Sequence, residues 1–446
     1  MGPTPLYDAL RAFAARDPLR MHMPGHKGRA MPAPEFSLLA AIDSTKLPPT
    51  GDLFAGDGPI REAENLWRDA LGMGECLFLT GGSTQGMLTA LTLTCRPGDS
   101  VLLDRGCHRS VYNALALLDL HPVFLPRPWL TEAGVTGPID PRDVENLLAS
   151  HPEVKTLCIT SPTYYGMLSD LPALAHIIHS RGGTLVVDAA HGAHLPFLGY
   201  RGMEAADIAV VSAHKTLPAL GQTALLLTGR DSGLTHAALR SAASLYGSSS
   251  PSYVLMASLD LARAWMEGEG TAAYERAAAL TADLRRRFPS LTESMAPLDP
   301  ARFVLRTGDG FAVQAALEEL GVWPEMADAG HVVFIPTCAD GPEQFARLRA
   351  ALDTLTPGDC PPFPPPPPLP EAVLTPRQAL FSPREHLPLA RAEGRVCAQQ
   401  IAPYPPGVPV VAPGERICKK SIAYLDEIGY NTREDIAVVP QSVCVS

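Results

Sequence analysis

The sequence predicts an α/β fold on a mostly parallel sheet, and three observations carry that expectation. Short apolar runs at 76–79, 101–103, 154–160, 184–187, 208–211 and 223–227 alternate with helix-length segments, which is the spacing of βαβ units. His108, Tyr164, Asp188 and Lys215 each stand just after one of these runs, where ligands sit in such sheets. A proline-rich stretch at 357–370, with prolines throughout 364–368, then sets off a C-terminal segment. Such a run is stiff and extended and does not fold into a core.

With 446 residues, 46% hydrophobic and 19% charged, the chain has room for two or three domains with a sizeable core. It has no apolar run of membrane-spanning length and no secretory pattern at its start, so the cytosol is the expected compartment. Nine cysteines include no C-x-x-C pair, which speaks against a disulfide framework or a zinc ribbon. A formal net charge of −11 argues against nucleic acid as a partner and suits a cationic substrate.

In chain order, residues 6–15 are amphipathic, and His22-Met23-Pro24-Gly25-His26-Lys27-Gly28 reads as a shaped loop. Its two histidines are not expected to share one helix face and bind a metal. After a Gly/Asp-rich loop at 51–58, Pro59 opens a helix whose apolar face runs through Ile60, Ala63 and Leu66-Trp67. The strand at 76–79 leads through Thr80-Gly81-Gly82-Ser83-Thr84-Gln85-Gly86 into a helix at 87–93. A glycine-rich turn feeding a helix N-terminus offers amides and the positive end of the helix dipole to a phosphate. Ser83 and Thr84 add hydroxyls, although both are also ordinary N-cap types. The turn matches neither G-x-G-x-x-G nor G-x-x-x-x-G-K-[ST].

The centre of the pattern is Asp207 to Gln222, a β-branched strand at 208–211 running into Ser212-Ala213-His214-Lys215. Burying an ammonium costs several kcal/mol unless it is paired or deprotonated, and a desolvated amine forms an imine with an aldehyde cofactor, of which pyridoxal 5′-phosphate is the common one. Ser212 and His214 could then reach its phosphate, Asp188 could hold the pyridine nitrogen protonated, His108 could stack on the ring, and the small Ala190 would let the other face pack closely. His191 and His194 have zinc-pair spacing but no cysteine nearby, so they are expected to hydrogen-bond. Taken singly, each residue has a plainer explanation as a cap, a loop acid or a snorkelling lysine; four such residues at strand ends of one sheet do not.

Beyond about 234 the pattern changes to a helix from 251 to 265, an amphipathic helix at 271–288, and a small α/β unit with helix 310–320, strand 331–335 and helix 341–355. Repeated prolines at 403–413 should prevent central sheet pairing and form an irregular wall.

In order, HMPGHKG, GGSTQG, CHRSVYNAL, SPTYYG, DAAHGAH, SAHKTLPALGQ and YPPGVPVVAPGE resemble the Orn/Lys/Arg decarboxylase family of bacterial PLP enzymes. The resemblance spans nearly the whole chain and matches the short form without an N-terminal wing domain. It implies the aspartate aminotransferase-like fold (fold type I): an N-terminal arm (1–58), a PLP-binding large domain with a seven-stranded-type sheet (59–265), a small α/β domain (266–356), a linker (357–372) and a C-terminal α+β domain (373–446). It further implies pyridoxal 5′-phosphate on Lys215, Asp188 at its pyridine nitrogen, His108 on its ring, and Ser83, Thr84, Ser212 and His214 at its phosphate. Ala190 and His191 would line the cofactor, Tyr164 and Glu415 would face the substrate, and Glu415 would meet its cationic end. The implied activity is decarboxylation of arginine, lysine or ornithine in polyamine metabolism by a cytoplasmic homodimer.

Three departures bear on this. Asp-Ala-Ala-His stands at 188–191 where the family commonly has Asp-Glu-Ala-His, Gly221 where it has threonine, and Gln399 near where it has a glutamate. The third leaves the substrate open. An aminotransferase or lyase of the same fold, or a catalytically silent paralogue, stays as the alternative, because the cofactor supports several reactions.

Overall fold

The computed structural model describes residues 2–29, 31, 33–355, 358–360, 362–403 and 408–443. Tyr404, Pro405, Pro406 and Gly407, which open the last of the seven motifs, lie outside the described residues.

Seven strands make the main sheet: β1 (Glu75–Leu79), β2 (Ser100–Asp104), β3 (His121–Leu125), β4 (Thr156–Thr160), β5 (Thr184–Asp188), β6 (Ile208–Val211) and β7 (Ala224–Thr228). β2 pairs in parallel with β3 and β4, and β5 pairs in parallel with β6. Only β7 reverses among these pairs, running antiparallel to both β6 and β1. Its link from β6 is spent on a four-residue helix, Ala213–Thr216, and a turn, which leaves no room for the crossover helix that a parallel return needs. The sequence reading contains no strand at β3. Pro122 lies within it, and a proline that donates no ladder hydrogen bond is tolerated at such a position only where one side is unpaired.

By compactness the chain divides into two units, the first being Met1–Leu93, Val186–Ala277 and Thr337–Ala339. In it β6 and β7 are buried along their whole length, as strands covered on both faces must be. Helix Gly82–Thr94 starts five residues earlier than expected and lies close on the sheet because of Gly86. A Cβ there would come within 2.5 Å of Val210 Cγ1 and 2.9 Å of Leu79 Cδ1.

The N-terminal helix Pro5–Ala15 is secured by a buried carboxylate. Asp260 Oδ2 accepts the Leu6 amide at 2.9 Å and the Tyr7 amide at 3.1 Å, so it satisfies donors that a helix N-terminus leaves unpaired. Burial pushes this carboxyl up from its ordinary 3.8 to about 6, against the pull of the two amides and Arg263. A raised folded-state value means that the group's contribution to stability is full below about pH 4, falls as pH rises towards 6, and is constant above. Asp260→Asn keeps an oxygen acceptor without the charge. Its stability relative to wild type should therefore improve by about 1–3 kcal/mol between pH 4 and pH 6 and then level off, as read from denaturant unfolding across that range. An unchanging difference would show that the carboxyl titrates normally.

The second unit, Thr94–Leu185, Ala278–Pro336 and Asp340–Ser446, holds β2, β3 and β4, a two-stranded ladder of Trp129–Leu130 with Val135–Thr136, and two three-stranded sheets. One is antiparallel, with β10 (His331–Phe334) between β8 (Phe303–Arg306) and β9 (Met326–Ala327). The other puts β13 (Asp435–Val439) between β11 (Glu385–Pro388) and β12 (Val396–Cys397). With helix Lys419–Glu427 this C-terminal segment is α+β. Ile401 and Val411 pair as an isolated bridge. No helix among the described residues is long and apolar enough to cross a membrane.

Candidate active site

Lys215 lies where buried β6 ends. The chain leaves the strand at fully buried Ser212 and turns at once into helix Ala213–Thr216, which takes Lys215 off the strand axis. Lys215 Nζ is 3.1 Å from His191 Nε2. Tyr274 fastens the segment that carries each: its hydroxyl donates to the Thr216 carbonyl, and its ring stacks on His194 with centroids 4.8 Å apart and planes 20° apart. His191 and His194 are 5% and 1% exposed.

Asp188 is the last residue of β5, 3% exposed and level with Val210 in the parallel register. Its Oδ1 accepts the Ala190 amide at 3.1 Å, which fixes the start of the DAAHGAH loop. Parallel neighbours lie about 4.8 Å apart, so an acid and an amine issue from the carboxyl ends of adjacent strands in one unit.

Gly82, at φ +71°, opens helix Gly82–Thr94 in a conformation that favours glycine. Ser83 and Thr84 occupy the first turn, partly to fully exposed, and their hydroxyls make no hydrogen bond among the described residues. Gln85 is buried and braces the turn, accepting from the Gly81 amide at 2.9 Å and donating to the Ala243 carbonyl at 3.1 Å. Ser212 Oγ lies 3.3 Å from His214 Nδ1, which is 3.0 Å from the Thr223 carbonyl. One edge of His214 is thus held by the chain itself.

This donor set fits pyridoxal 5′-phosphate. An amine stands beside an imidazole, a carboxylate ends the next strand, Ala190 offers little bulk, and amides and hydroxyls converge at a helix N-terminus as an anion requires.

In the second unit His108 caps helix Arg109–Leu118, its Nδ1 accepting the Ser110 amide at 3.2 Å with Ser110 Oγ at 2.9 Å. An Nδ1 that accepts puts the ring proton on Nε2, and the ring itself is exposed. Tyr164 donates to the Glu325 carboxylate. Glu415 pairs with Arg105. It is 2% exposed, and its oxygens accept Arg105 Nη1 at 2.7 Å and Arg105 Nη2 at 2.8 Å. Burial works against the Arg105 charge, but Tyr112 and Glu415 outweigh it and raise its proton affinity.

The sequence reading gave no role to Arg105, Gln85 or Tyr274. An arginine directly after an apolar strand was the available signal for the first. Tyr274 looks like any aromatic on an amphipathic helix, and its place beside His194 had no signal.

Comparison with known proteins identifies the family. The profile described as "Orn/Lys/Arg decarboxylase, major domain" matches residues 4–303, and "Orn/Lys/Arg decarboxylase, C-terminal domain" matches 367–433. The arginine decarboxylase of Bacillus subtilis is 30% identical over 95% of this chain and 93% of its own length. Lysine decarboxylase LdcA of Pseudomonas aeruginosa is 23% identical over 96% of this chain and 75% of its own. The fold is also that of the Francisella novicida lysine decarboxylase LdcF, with a TM-score of 0.84 and 20% identity over 98% of this chain and 81% of that one. On these matches, together with the motif order and the strand-end lysine and aspartate, the chain belongs to the Orn/Lys/Arg decarboxylase family of PLP-dependent amino acid decarboxylases.

Proposed function

We propose that the protein removes CO2 from a basic L-amino acid to give the corresponding amine, with pyridoxal 5′-phosphate held at Lys215. The observation that carries this is the pairing of Lys215 with His191 at 3.1 Å, next to a strand ending in Asp188. Bound there, pyridoxal 5′-phosphate supplies a sink for the electron pair that decarboxylation leaves behind.

Lys215 attaches the cofactor through its amine, and His191 takes up or returns the ammonium proton. Asp188 holds the pyridine nitrogen protonated, and the neutral surroundings of β5 and β6 strengthen that pairing. The amides of the turn at 81–84, with Ser83, Thr84, Ser212 and His214, bind the phosphate. Ala190 and, on the family resemblance, His108 bound the ring faces. Tyr164, oriented by Glu325, faces the substrate. Lys215 or His191 returns a proton to the α-carbon.

Arginine is the first substrate to test, because the B. subtilis relative is an arginine decarboxylase. The product would feed polyamine synthesis in the cytoplasm, and the working form would be a homodimer. Purified protein given pyridoxal 5′-phosphate and arginine, lysine or ornithine in turn should release CO2 and amine in equal amounts, with one substrate preferred in kcat/KM by about tenfold or more. Keto acid without CO2 would establish the aminotransferase alternative; no turnover with any substrate would indicate a silent paralogue.

A further inference from the structure

The Arg105–Glu415 pair is more than an ion pair between distant parts of the sequence. Arg105 is 7% exposed and makes four guanidinium hydrogen bonds to one segment: Nε donates to the Pro409 carbonyl at 3.0 Å, Nη2 to the Val410 carbonyl at 2.9 Å, and Nη1 and Nη2 to the two Glu415 oxygens. The plane lies over Phe124 at 4.5 Å, and Phe124 stacks on Tyr112 at 5.9 Å. Tyr112 closes the ring of contacts by donating to the Arg105 carbonyl at 3.0 Å. On the other side, Glu415 Oε2 also accepts the Ala412 amide at 2.7 Å, which fixes the end of the proline-rich motif.

Three residues past Arg105 is His108, in a loop whose start is anchored through the residue before Arg105 as well. Asp104, wholly buried, accepts Arg127 Nη2 at 2.6 Å, the Gly106 amide at 2.8 Å and the Thr160 amide at 3.1 Å. Two adjacent residues of opposite charge, each buried and each paired, therefore precede His108. A bidentate arginine–carboxylate pair fixes direction as well as distance, and removing one partner leaves a buried charge uncompensated. So much charge beside a short loop is costly if all it does is join two segments; it is accounted for if the loop must be held in one geometry.

We propose that Glu415 is a positioning residue: through Arg105 the C-terminal domain locks the 105–110 loop and so sets the imidazole of His108 for the cofactor ring. This deepens the proposed function and rests on its placement of His108. It gives Glu415 a role other than meeting the cationic end of the substrate, one that rests on both its oxygens accepting from Arg105.

The test compares the full-length protein with Glu415→Ala, Glu415→Gln and Arg105→Lys in four measurements: amide exchange at 106–111 in the cofactor-free protein, pyridoxal 5′-phosphate affinity with visible circular dichroism of the bound cofactor, kcat and KM, and thermal unfolding. Groups that orient a binding residue without touching the ligand cost about 10–100-fold in affinity or activity. Glu415→Ala should therefore speed exchange at 106–111, weaken cofactor binding and lower kcat by about that factor, with KM for the amino acid within about twofold. Glu415→Gln, which keeps the shape and one acceptor, should recover part of the loss. The proposal is overturned if KM rises with exchange, cofactor affinity and circular dichroism unchanged, because Glu415 would then touch substrate. It is equally overturned if only the melting temperature falls while the folded protein binds cofactor and exchanges as wild type does. Should Glu415→Ala not fold, Glu415→Gln and Arg105→Lys are judged by the same criteria. If wild type binds no pyridoxal 5′-phosphate, the proposed function fails, and exchange in the cofactor-free proteins still decides whether the pair holds the loop.

Discussion

Lys215→Ala is expected to lower decarboxylation by about a thousandfold or more and to remove the visible absorbance of the bound cofactor, while the melting temperature of the cofactor-free protein changes little. Lys215 is partly exposed at the end of β6, so its truncation leaves no cavity in the buried strands. The expected fold cost is therefore that of a half-buried side chain. On the proposed function the chemical cost is far larger, because two roles would disappear together: the covalent hold on the cofactor, and a proton donor and acceptor for the reacting carbon. Acid–base catalysis alone contributes about 10²–10⁴-fold, and covalent activation adds to it. The His191 contact separates this from a general packing effect. His191→Ala leaves the amine in place but removes the imidazole 3.1 Å from it, so it should keep the visible absorbance while moving the pH at which the absorbance titrates. An absorbance spectrum unchanged in Lys215→Ala would mean that the cofactor attaches elsewhere, and the site would have to be sought at another amine.

Much of this arrangement could be read from the sequence, for identifiable reasons. β6 was legible with its bounds correct, because a run of β-branched residues between Asp207 and Ser212 has no competing helical period. Asp188 and Lys215 were legible as strand-end residues, since strand ends follow from the alternation of apolar runs and helices. β3 was hidden by Pro122, and the first turn of helix Gly82–Thr94 was hidden by its glycines and hydroxyl residues, which resemble loop. The Lys215–His191 contact depends on the helix Ala213–Thr216, whose four residues are too few for a periodic signal. Arg105 and Glu415 are 310 positions apart. No local pattern ties them together, and a glutamate ending a proline-rich loop reads equally well as a substrate acid until its partner is seen.

Asp188→Ala is expected to reduce kcat by about 10²–10³-fold, the range seen when a single preorganised electrostatic partner is removed from a reacting group. The effect on the fold should be smaller. Asp188 ends β5, and its side chain accepts the Ala190 amide, a bond whose loss costs about 1 kcal/mol net. Asp188→Asn separates the two contributions. The asparagine carbonyl can still accept the Ala190 amide, so local structure is kept, but a neutral amide cannot hold a pyridine nitrogen in its protonated form as a carboxylate does. The two variants should therefore be similarly slow, with asparagine the more stable to heat. Both should still bind pyridoxal 5′-phosphate, because Lys215 and the turn at 81–84 proposed to bind its phosphate are untouched. Turnover near the wild-type value in Asp188→Asn, with the cofactor fully bound, would remove the carboxylate from the reaction. The electron sink would then have to be sustained by some other group at the carboxyl end of the sheet.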